Sequence, residues 1–180
     1  VQDYNTKQIT TFGSRPAKVT QENVKYVHCK DEYSLINSFM DWWQNNTPEV
    51  VTGWNNELYD IPYLVGRITR LMGEKVAKKL SPWNIVKVKE VQISGRKQLS
   101  CEIAGVSIID YLDLYKKSPA TPNQESYRLD HIAFMELSQN KLDHSEFDTF
   151  RDFYTNNWQK FVEYNIVDVE LVDRLEDKLK

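Results

Sequence analysis

The chain has 180 residues, of which 41% are hydrophobic and 27% are charged, and its formal net charge at pH 7 is −3. This length suits one domain with a sizeable buried core, and the slightly acidic balance argues against a module that coats nucleic acid by charge alone. We expect no membrane span, because no apolar run is long enough, and we find no basic-then-apolar leader at Val1.

The cysteines and histidines give no sign of a disulfide framework or a zinc site. Cys29 and Cys101 lie far apart without a C-x-x-C partner, so we expect free thiols in a reducing compartment. The three histidines lack zinc-ligand spacing. Because the chain opens without Met, we expect a processed or excised piece of a longer protein.

The first predicted elements are two strands and a helix. Residues Lys7–Phe12 and Val24–Cys29 have strand-like patterns. Asp31 is a suitable cap for the helix that follows, whose apolar residues keep helical spacing: Leu35, Ile36, Phe39, Met40 and Trp43.

The next stretch, Val50–Leu64, places a carboxylate between a strand and a helix. A short strand at Val50 runs into a turn at Gly53, and a helix begins near Asp60 and Pro62. An Asp before a helix is most often a cap for the first amides, but α/β proteins also place their chemistry at such junctions.

The later elements include a hairpin, a buried strand and a long helix. Strands that alternate with helices predict an α/β fold. In chain order the predicted elements are a helical stretch Glu74–Leu80, hairpin arms 86–93 and 98–103 around a turn at 94–97, a fully buried strand Val106–Leu112, a helix Tyr127–Leu137, a poorly defined segment 138–149 and a helical segment Phe150–Leu179.

A second carboxylate, Asp168, lies in an apolar stripe of that last helix. A buried carboxylate needs a cation, a metal or dense hydrogen bonds, since leaving it unpaired would cost several kcal/mol. The alternatives are an ion pair with Arg or Lys, or a small helix rotation that lets Asp168 touch water. The stripe consists of Phe161, Tyr164, Asp168, Leu171 and Leu175.

Basic residues cluster in the middle of the chain. A solvated helix face and an exposed hairpin are the preferred interpretation of such a cluster. Its members are Arg67, Arg70, Lys75, Lys78, Lys79, Lys87, Lys89, Arg96 and Lys97.

Over about Val24 to Lys180, three stretches of residues occur in an order and at spacings that resemble a known family. The residues Thr52-Gly53-Trp54-Asn55, followed by Tyr59-Asp60-Ile61-Pro62-Tyr63, are similar to the second exonuclease motif of family B DNA polymerases. Residues 164–170, with Tyr164 and Asp168, are similar to the third, whose core is Tyr-x-x-x-Asp. Residues 105–117 resemble the segment after the exonuclease hairpin in polymerases of tailed bacteriophages.

This resemblance implies a 3′→5′ proofreading exonuclease domain with a ribonuclease H-like fold, a mixed sheet flanked by helices and a protruding hairpin. It also implies a site with two divalent ions, Mg²⁺ or Mn²⁺, which prefer oxygen ligands. Asp168 would hold the ion that carries the nucleophilic water, Tyr164 would orient that water, and Asp60 would hold the second ion.

The resemblance implies further contacts with the single-stranded 3′ end of DNA. Asn55 would contact the strand, and the hairpin would help to separate a frayed primer end, with Arg96 and Lys97 at its tip meeting phosphates. Tyr59 and Tyr63 have the chemistry to stack on bases, whereas core packing suits Trp54 better.

For Asp110 and Asp113 we expect turn or cap roles rather than metal binding.

The family's first motif, a strand with Asp-x-Glu, does not occur before Val50. We therefore expect residues 1–180 to be one exonuclease domain truncated at its N-terminus, with that strand upstream and the polymerase domains elsewhere in the full-length chain. This polypeptide alone should then be weakly active or inactive as a nuclease, and its open sheet edge should favour dimerisation or poor solubility. The expected location is the cytoplasm of an infected bacterial cell.

Two other interpretations stay open. One is a ribonuclease H-like module that binds nucleic acid or has a structural role without catalysis. The other is an unrelated α/β domain whose motif matches arose by chance.

Overall fold

The computed structural model describes residues 1–93, 95–119, 121–139 and 149–179. Two compact units are present: unit 1 comprises Val1–Leu35 and Gln124–Lys180, and unit 2 comprises Ile36–Asn123. A single domain over residues 1–180 stays a prediction.

The described residues form a mixed α/β structure. The strands are β1 (Ile9–Gly13), β2 (Val24–His28), β3 (Val50–Gly53), β4 (Val86–Ile93), β5 (Arg96–Ile103) and β6 (Ser107–Asp110). The helices are α1 (Glu32–Asn46), α2 (Ile61–Met72), α3 (Glu74–Ala77), α4 (Tyr111–Lys117), α5 (Leu129–Leu137), α6 (Phe150–Asn156) and α7 (Trp158–Leu179). A π-helical turn (Asn56–Asp60) precedes α2, and a 3₁₀ turn (Lys78–Leu80) follows α3.

Unit 1 is built on a parallel pair of strands covered by the C-terminal helix. β1 and β2 pair from Ile9 opposite Val24 to Gly13 opposite His28. Helix α7 packs on β1 and also contacts α5 and α6. The core of this pair consists of Ile9, Val24, Val162 and Ile166, all less than 9% exposed. Burial of these aliphatic side chains is the main stabilising term for such a unit.

The segment predicted as helical from Phe150 to Leu179 is two helices. Thr149 caps α6 by accepting from the amide of Asp152, and Asn157 accepts from the amide of Lys160 at the start of α7. The buried residues of α7 are Val162, Ile166, Leu171 and Leu175. Our stripe was therefore right at Leu171 and Leu175, whereas Phe161, Tyr164 and Asp168 are only half-buried.

Unit 2 contains a parallel pair and an antiparallel hairpin. β3 pairs with β6 from Val50 opposite Ser107 to Gly53 opposite Asp110. β4 pairs with β5 from Val86 opposite Ile103 to Ile93 opposite Arg96. The hairpin is largely exposed, as predicted, but its second arm begins at Arg96, so the connection is shorter than the predicted 94–97. Ser94 lies outside the described residues.

Two sheet predictions were wrong in detail. The described strands form three separate two-stranded sheets rather than one mixed sheet. The predicted buried strand Val106–Leu112 is the shorter β6, because Asp110 ends it by capping α4. Ile109 is 38% exposed, so this strand is also not buried on both faces. Most of the segment that we left undefined, residues 140–148, lies outside the described residues.

Two predictions about the whole chain can be compared with the structure. Neither Cys29 nor Cys101 forms a disulfide, as predicted, and the structure buries both thiols. Among the helices in the described ranges, none combines the length and apolar character that crossing a membrane requires.

We predict that Trp43→Phe destabilises unit 2. The Trp43 indole N–H donates to the Leu80 carbonyl over 2.8 Å, and both residues are buried. Phenylalanine would leave that carbonyl without its donor, so the free energy of unfolding should fall by about 1–3 kcal/mol. Urea denaturation measures the loss. Trp42→Phe, at a half-buried position on the same helix, is the control and should cost less; equal losses would contradict the role of the hydrogen bond.

Candidate active site

The candidate site is built on the tight turn between β3 and α2. Asn55 has left-handed backbone angles, φ 64° and ψ 27°, which asparagine tolerates better than most residues. Gly53 also lies close to this turn, because a Cβ there would be 3.1 Å from the Cβ of Asn56 and would crowd it. The chain then forms the π-helical turn, in which the Ile61 amide donates to the Asn56 carbonyl. Such wide turns are frequent at functional sites.

The carboxylate of Asp110 fixes this turn. Its Oδ1 accepts from the amides of Asn55 at 2.9 Å and Leu112 at 3.0 Å, and its Oδ2 accepts from the amide of Glu57 at 3.3 Å. Asp110 is only 8% exposed. The predicted cap role is confirmed by the bond to Leu112, whereas the two bonds to the turn were not foreseen.

Asp60 lies at the end of the π-helical turn, on the solvent side. Its carboxylate makes no cap hydrogen bond to α2, which removes the cap interpretation. The residue is exposed, yet nearby protein still displaces part of the hydration of its carboxylate. That desolvation, followed by the negative charge of Asp110, raises the pKa of Asp60 above its usual value.

Aromatic residues on both sides of Asp60 behave differently. Tyr59 and Tyr63 are 67% and 64% exposed, so their rings are accessible for stacking. Trp54 packs its ring on Tyr111 and Tyr115, with centroid separations of 6.4 Å and 5.9 Å. The core-packing role predicted for Trp54 is therefore confirmed.

The hairpin touches the turn at Glu57. The Ser100 hydroxyl of β5 donates to the Glu57 carboxylate over 3.3 Å. An open cleft of about 320 Å³ lies beside this contact, and its lining includes Glu57, Ser100 and Lys89 but not Asp60. The exposed carboxylate of the candidate site therefore does not line this cleft.

The basic residues of the hairpin are mostly paired with acids. Lys89 and Lys87 flank Glu102, at 2.7 Å and 3.9 Å, and Lys97 pairs with Glu90 at 2.7 Å. Arg96, exposed next to Gly95, lies opposite Ile93 at the tip. The solvated, exposed hairpin that we preferred for this part of the basic cluster is confirmed.

In unit 1, Tyr164 and Asp168 lie one turn apart on α7. The Tyr164 ring meets Phe153 and Phe150 edge to face, with centroids 5.7 Å and 6.2 Å apart. Asp168 is half-buried, and its Oδ1 is fully buried. Packing against two rings restricts the orientation of the Tyr164 ring.

The structure thus brings together Asn55, Asp60 and Asp110 within unit 2, and Tyr164 and Asp168 within unit 1. A shared site of Asp60 and Asp168 stays a prediction. Within the described ranges, no group of three or more His, Cys, Asp and Glu side chains is arranged to hold a metal ion. Both oxygens of Asp110 already accept hydrogen bonds from backbone amides. Asp60 is exposed, so its carboxylate is better placed than that of Asp110 to bind a hard cation.

Two features of these surroundings were missed from the sequence. Asn56 is 3% exposed, and neither its amide nitrogen nor its amide oxygen has a hydrogen-bond partner among the described residues. No pattern signals this, because a polar residue after a turn is normally solvated. The rings of Phe150 and Phe153 around Tyr164 were also missed, although aromatic residues are dense from Phe150 to Tyr164.

Comparison with known proteins identifies relatives over most of the chain. Residues 2–132 match the model for the exonuclease domain of family B DNA polymerases. The chain is 36% identical over 157 residues to the DNA-directed DNA polymerase of Escherichia phage RB69, and 36% identical over 160 residues to that of Enterobacteria phage T4. These alignments cover 87% and 88% of this chain, and 17% of each phage polymerase. A putative DNA polymerase of Frog virus 3 is 29% identical over 157 residues, which cover 83% of this chain and 15% of that protein.

We predict that Asp60→Asn stabilises the protein at neutral pH. The pKa of the Asp60 carboxyl is higher in the folded state than in the unfolded chain. At pH values above the folded pKa, the ionised carboxylate therefore lowers the free energy of unfolding. The neutral amide removes this cost. The gain in melting temperature should be present at pH 7 and should disappear as the pH falls through the folded pKa towards 3.8.

The control is Asp113→Asn, which removes an exposed carboxylate paired with Lys117 at 3.0 Å. That change should leave the melting temperature unchanged or slightly lower at pH 7. A melting temperature of Asp60→Asn that is lower than wild type at pH 7 would contradict the prediction.

Proposed function

The chain belongs to the exonuclease-domain family of family B DNA polymerases, with phage polymerases among its relatives, and on that basis we propose that it removes 3′-terminal nucleotides from DNA by hydrolysis. The feature that carries this proposal is an exposed carboxylate, Asp60, on a turn whose backbone is fixed by buried hydrogen bonds. We further propose a ribonuclease H-like fold for the intact domain and, from the phage relatives, the cytoplasm of a bacterial host as its location.

The substrate in this proposal is a single-stranded 3′ end. The exposed rings of Tyr59 and Tyr63 beside Asp60 offer surfaces on which unpaired bases of any sequence can stack. Asn55 would contact the strand from the same turn. At the hairpin tip, Arg96 and Lys97 would contact phosphates, with Arg96 the stronger candidate, because Lys97 already pairs with Glu90.

Exonuclease domains of this family depend on metal ions, and we propose that Asp60 and Asp168 hold divalent ions, Mg²⁺ or Mn²⁺. Carboxylate oxygens suit both ions. When bound, the ions supply an activated water and a counter-charge for the leaving 3′ oxygen. Tyr164, held edge to face by Phe150 and Phe153, would orient the attacking water through its hydroxyl. Because the proposed site has only the carboxylates of Asp60 and Asp168, this chain by itself should bind metal weakly and have weak nuclease activity.

The proposed partner is a polymerase domain in the same full-length chain. Support comes from the phage relatives, which are DNA-directed DNA polymerases and far longer than this chain. Self-association through an exposed strand edge stays a prediction.

A non-catalytic nucleic-acid-binding module is the second candidate. It is favoured because, within the described residues, no three or more His, Cys, Asp and Glu side chains are grouped so that they could hold a metal ion. Unlike an exonuclease, such a module would bind a DNA strand without shortening it in the presence of a metal ion.

We predict that Asp60→Ala and Asp168→Ala each abolish most of the exonuclease activity of the complete gene product. The assay is Mg²⁺-dependent shortening of a 5′-labelled single strand from its 3′ end. Each change should lower the rate by roughly 100-fold or more, since even indirect supports of metal sites contribute 10–100-fold. The double variant should be about as slow as the slower single variant, because both carboxylates serve one step.

Asp113→Ala is the matched control, since it removes an exposed carboxylate from α4 and should retain wild-type activity. Strand binding without shortening by the wild type would favour the non-catalytic module. Wild-type shortening that survives both substitutions would mean that the motif matches arose by chance.

A further inference from the structure

Asp110 ends β6 and caps α4, but its carboxylate also accepts hydrogen bonds from two amides of the turn before α2. The structure assigns it as a positioning residue: its carboxylate holds the turn from Gly53 to Asp60 in the shape in which Asn55 and Asp60 meet the DNA end. This inference rests on the proposed exonuclease function and adds to it a residue that touches neither DNA nor the reacting atoms.

The first argument is the number and kind of the hydrogen bonds. Three backbone amides donate to one buried carboxylate, at 2.9 Å, 3.0 Å and 3.3 Å. Bonds from amides to an ionised acceptor are about twice as strong as neutral ones, and little water competes at this depth. The Asp110 side chain therefore holds the amides of Asn55, Glu57 and Leu112 close to one another.

The second argument is where those amides lie. Capping α4 requires only the bond from Leu112, and Ser, Thr or Asn would satisfy that need. The other two donors, Asn55 and Glu57, are 55 and 53 residues away in sequence, at the start and in the middle of the candidate turn. Helix capping alone does not explain why an acid reaches across to them.

The third argument is that this turn needs an external anchor. Asn55 has left-handed angles, and the next five residues form a π-helical turn. Both conformations are costly and persist only where the surroundings determine them. The Ser100 hydroxyl also reaches the turn, but it makes a single hydrogen bond of 3.3 Å to the Glu57 side chain and none to the Glu57 amide. Asp110 instead accepts hydrogen bonds from backbone amides of the turn.

The consequence for the reaction concerns the position of Asp60. Asp60 lies three residues after Glu57, so release of the Glu57 amide would let the carboxylate shift relative to the DNA end. A misplacement of 1 Å can cost about 100-fold in rate. Loss of Asp110 should therefore lower kcat more than it raises KM for the strand.

The experiment compares Asp110→Ala and Asp110→Asn in the complete gene product, under conditions where denaturation curves show each variant fully folded. Alanine removes both acceptor oxygens and with them all three hydrogen bonds, and kcat should fall by about tenfold or more. Asparagine keeps the Oδ1 that accepts from both Asn55 and Leu112, so it should recover most of that loss. Trp43→Phe is the matched control, because it removes another buried hydrogen bond of unit 2 without touching the turn and should keep wild-type kcat.

A second measurement does not depend on nuclease activity. In hydrogen–deuterium exchange, the peptide that contains Asn55 and Glu57 should exchange about tenfold faster in Asp110→Ala than in the wild type. The same peptide should be unchanged in Trp43→Phe. If the wild type lacks nuclease activity but this exchange pattern appears, the exonuclease proposal fails while the anchoring by Asp110 is upheld.

Three results would overturn the inference. One is wild-type kcat in folded Asp110→Ala. Another is an Asn variant as slow as the Ala variant while Trp43→Phe is equally slow, which would indicate a general stability effect. The last is unchanged amide exchange in the turn.

Discussion

The arrangement of unit 2 depends on one buried carboxylate that binds backbone amides from three positions. β3 and β6 are parallel, so Gly53 and Asp110 end their strands side by side. Each strand then leads directly into a turn or helix whose first amides lack partners. The Asp110 carboxylate accepts from two amides of the turn and from one amide of α4. A short parallel pair with few buried residues thereby acquires a rigid end, and that end carries the residues proposed to meet DNA.

The same arrangement disfavours ionised Asp60, and that tension is typical of functional sites. The charge of Asp110 opposes ionisation of Asp60, and the turn also buries an Asn56 amide whose polar atoms have no partner among the described residues. Both features lower stability. Their presence in one turn is more easily explained by a requirement to present a carboxylate than by a requirement to fold.

Local patterns in the sequence predicted the elements well, and the misses have physical causes. Helical spacing and Gly73 placed α2 within one residue, because amphipathic periodicity reports burial directly. The stripe through Asp168 was partly wrong, because the buried face of α7 passes through Val162 and Ile166 rather than through Phe161, Tyr164 and Asp168. Asp60 directly precedes α2 and Asp110 is the last residue of β6, so both could be noticed. The bonds from Asp110 to Asn55 and Glu57 could not, since they join residues more than 50 positions apart and depend on a strand pairing that no local pattern specifies.

The charges of the hairpin restrict how the proposed substrate would be recognised. A net charge of −3 gives no long-range attraction for DNA, and the hairpin lysines Lys87, Lys89 and Lys97 are paired with Glu102 and Glu90. Exposed pairs of this kind largely cancel each other's field beyond a Debye length of about 8 Å at physiological salt. Recognition would therefore depend on short-range contacts: stacking on Tyr59 and Tyr63, and a phosphate contact of Arg96. Such a surface would suit the partner proposed above, because a strand end delivered at high local concentration by a neighbouring domain would not need electrostatic capture from solution.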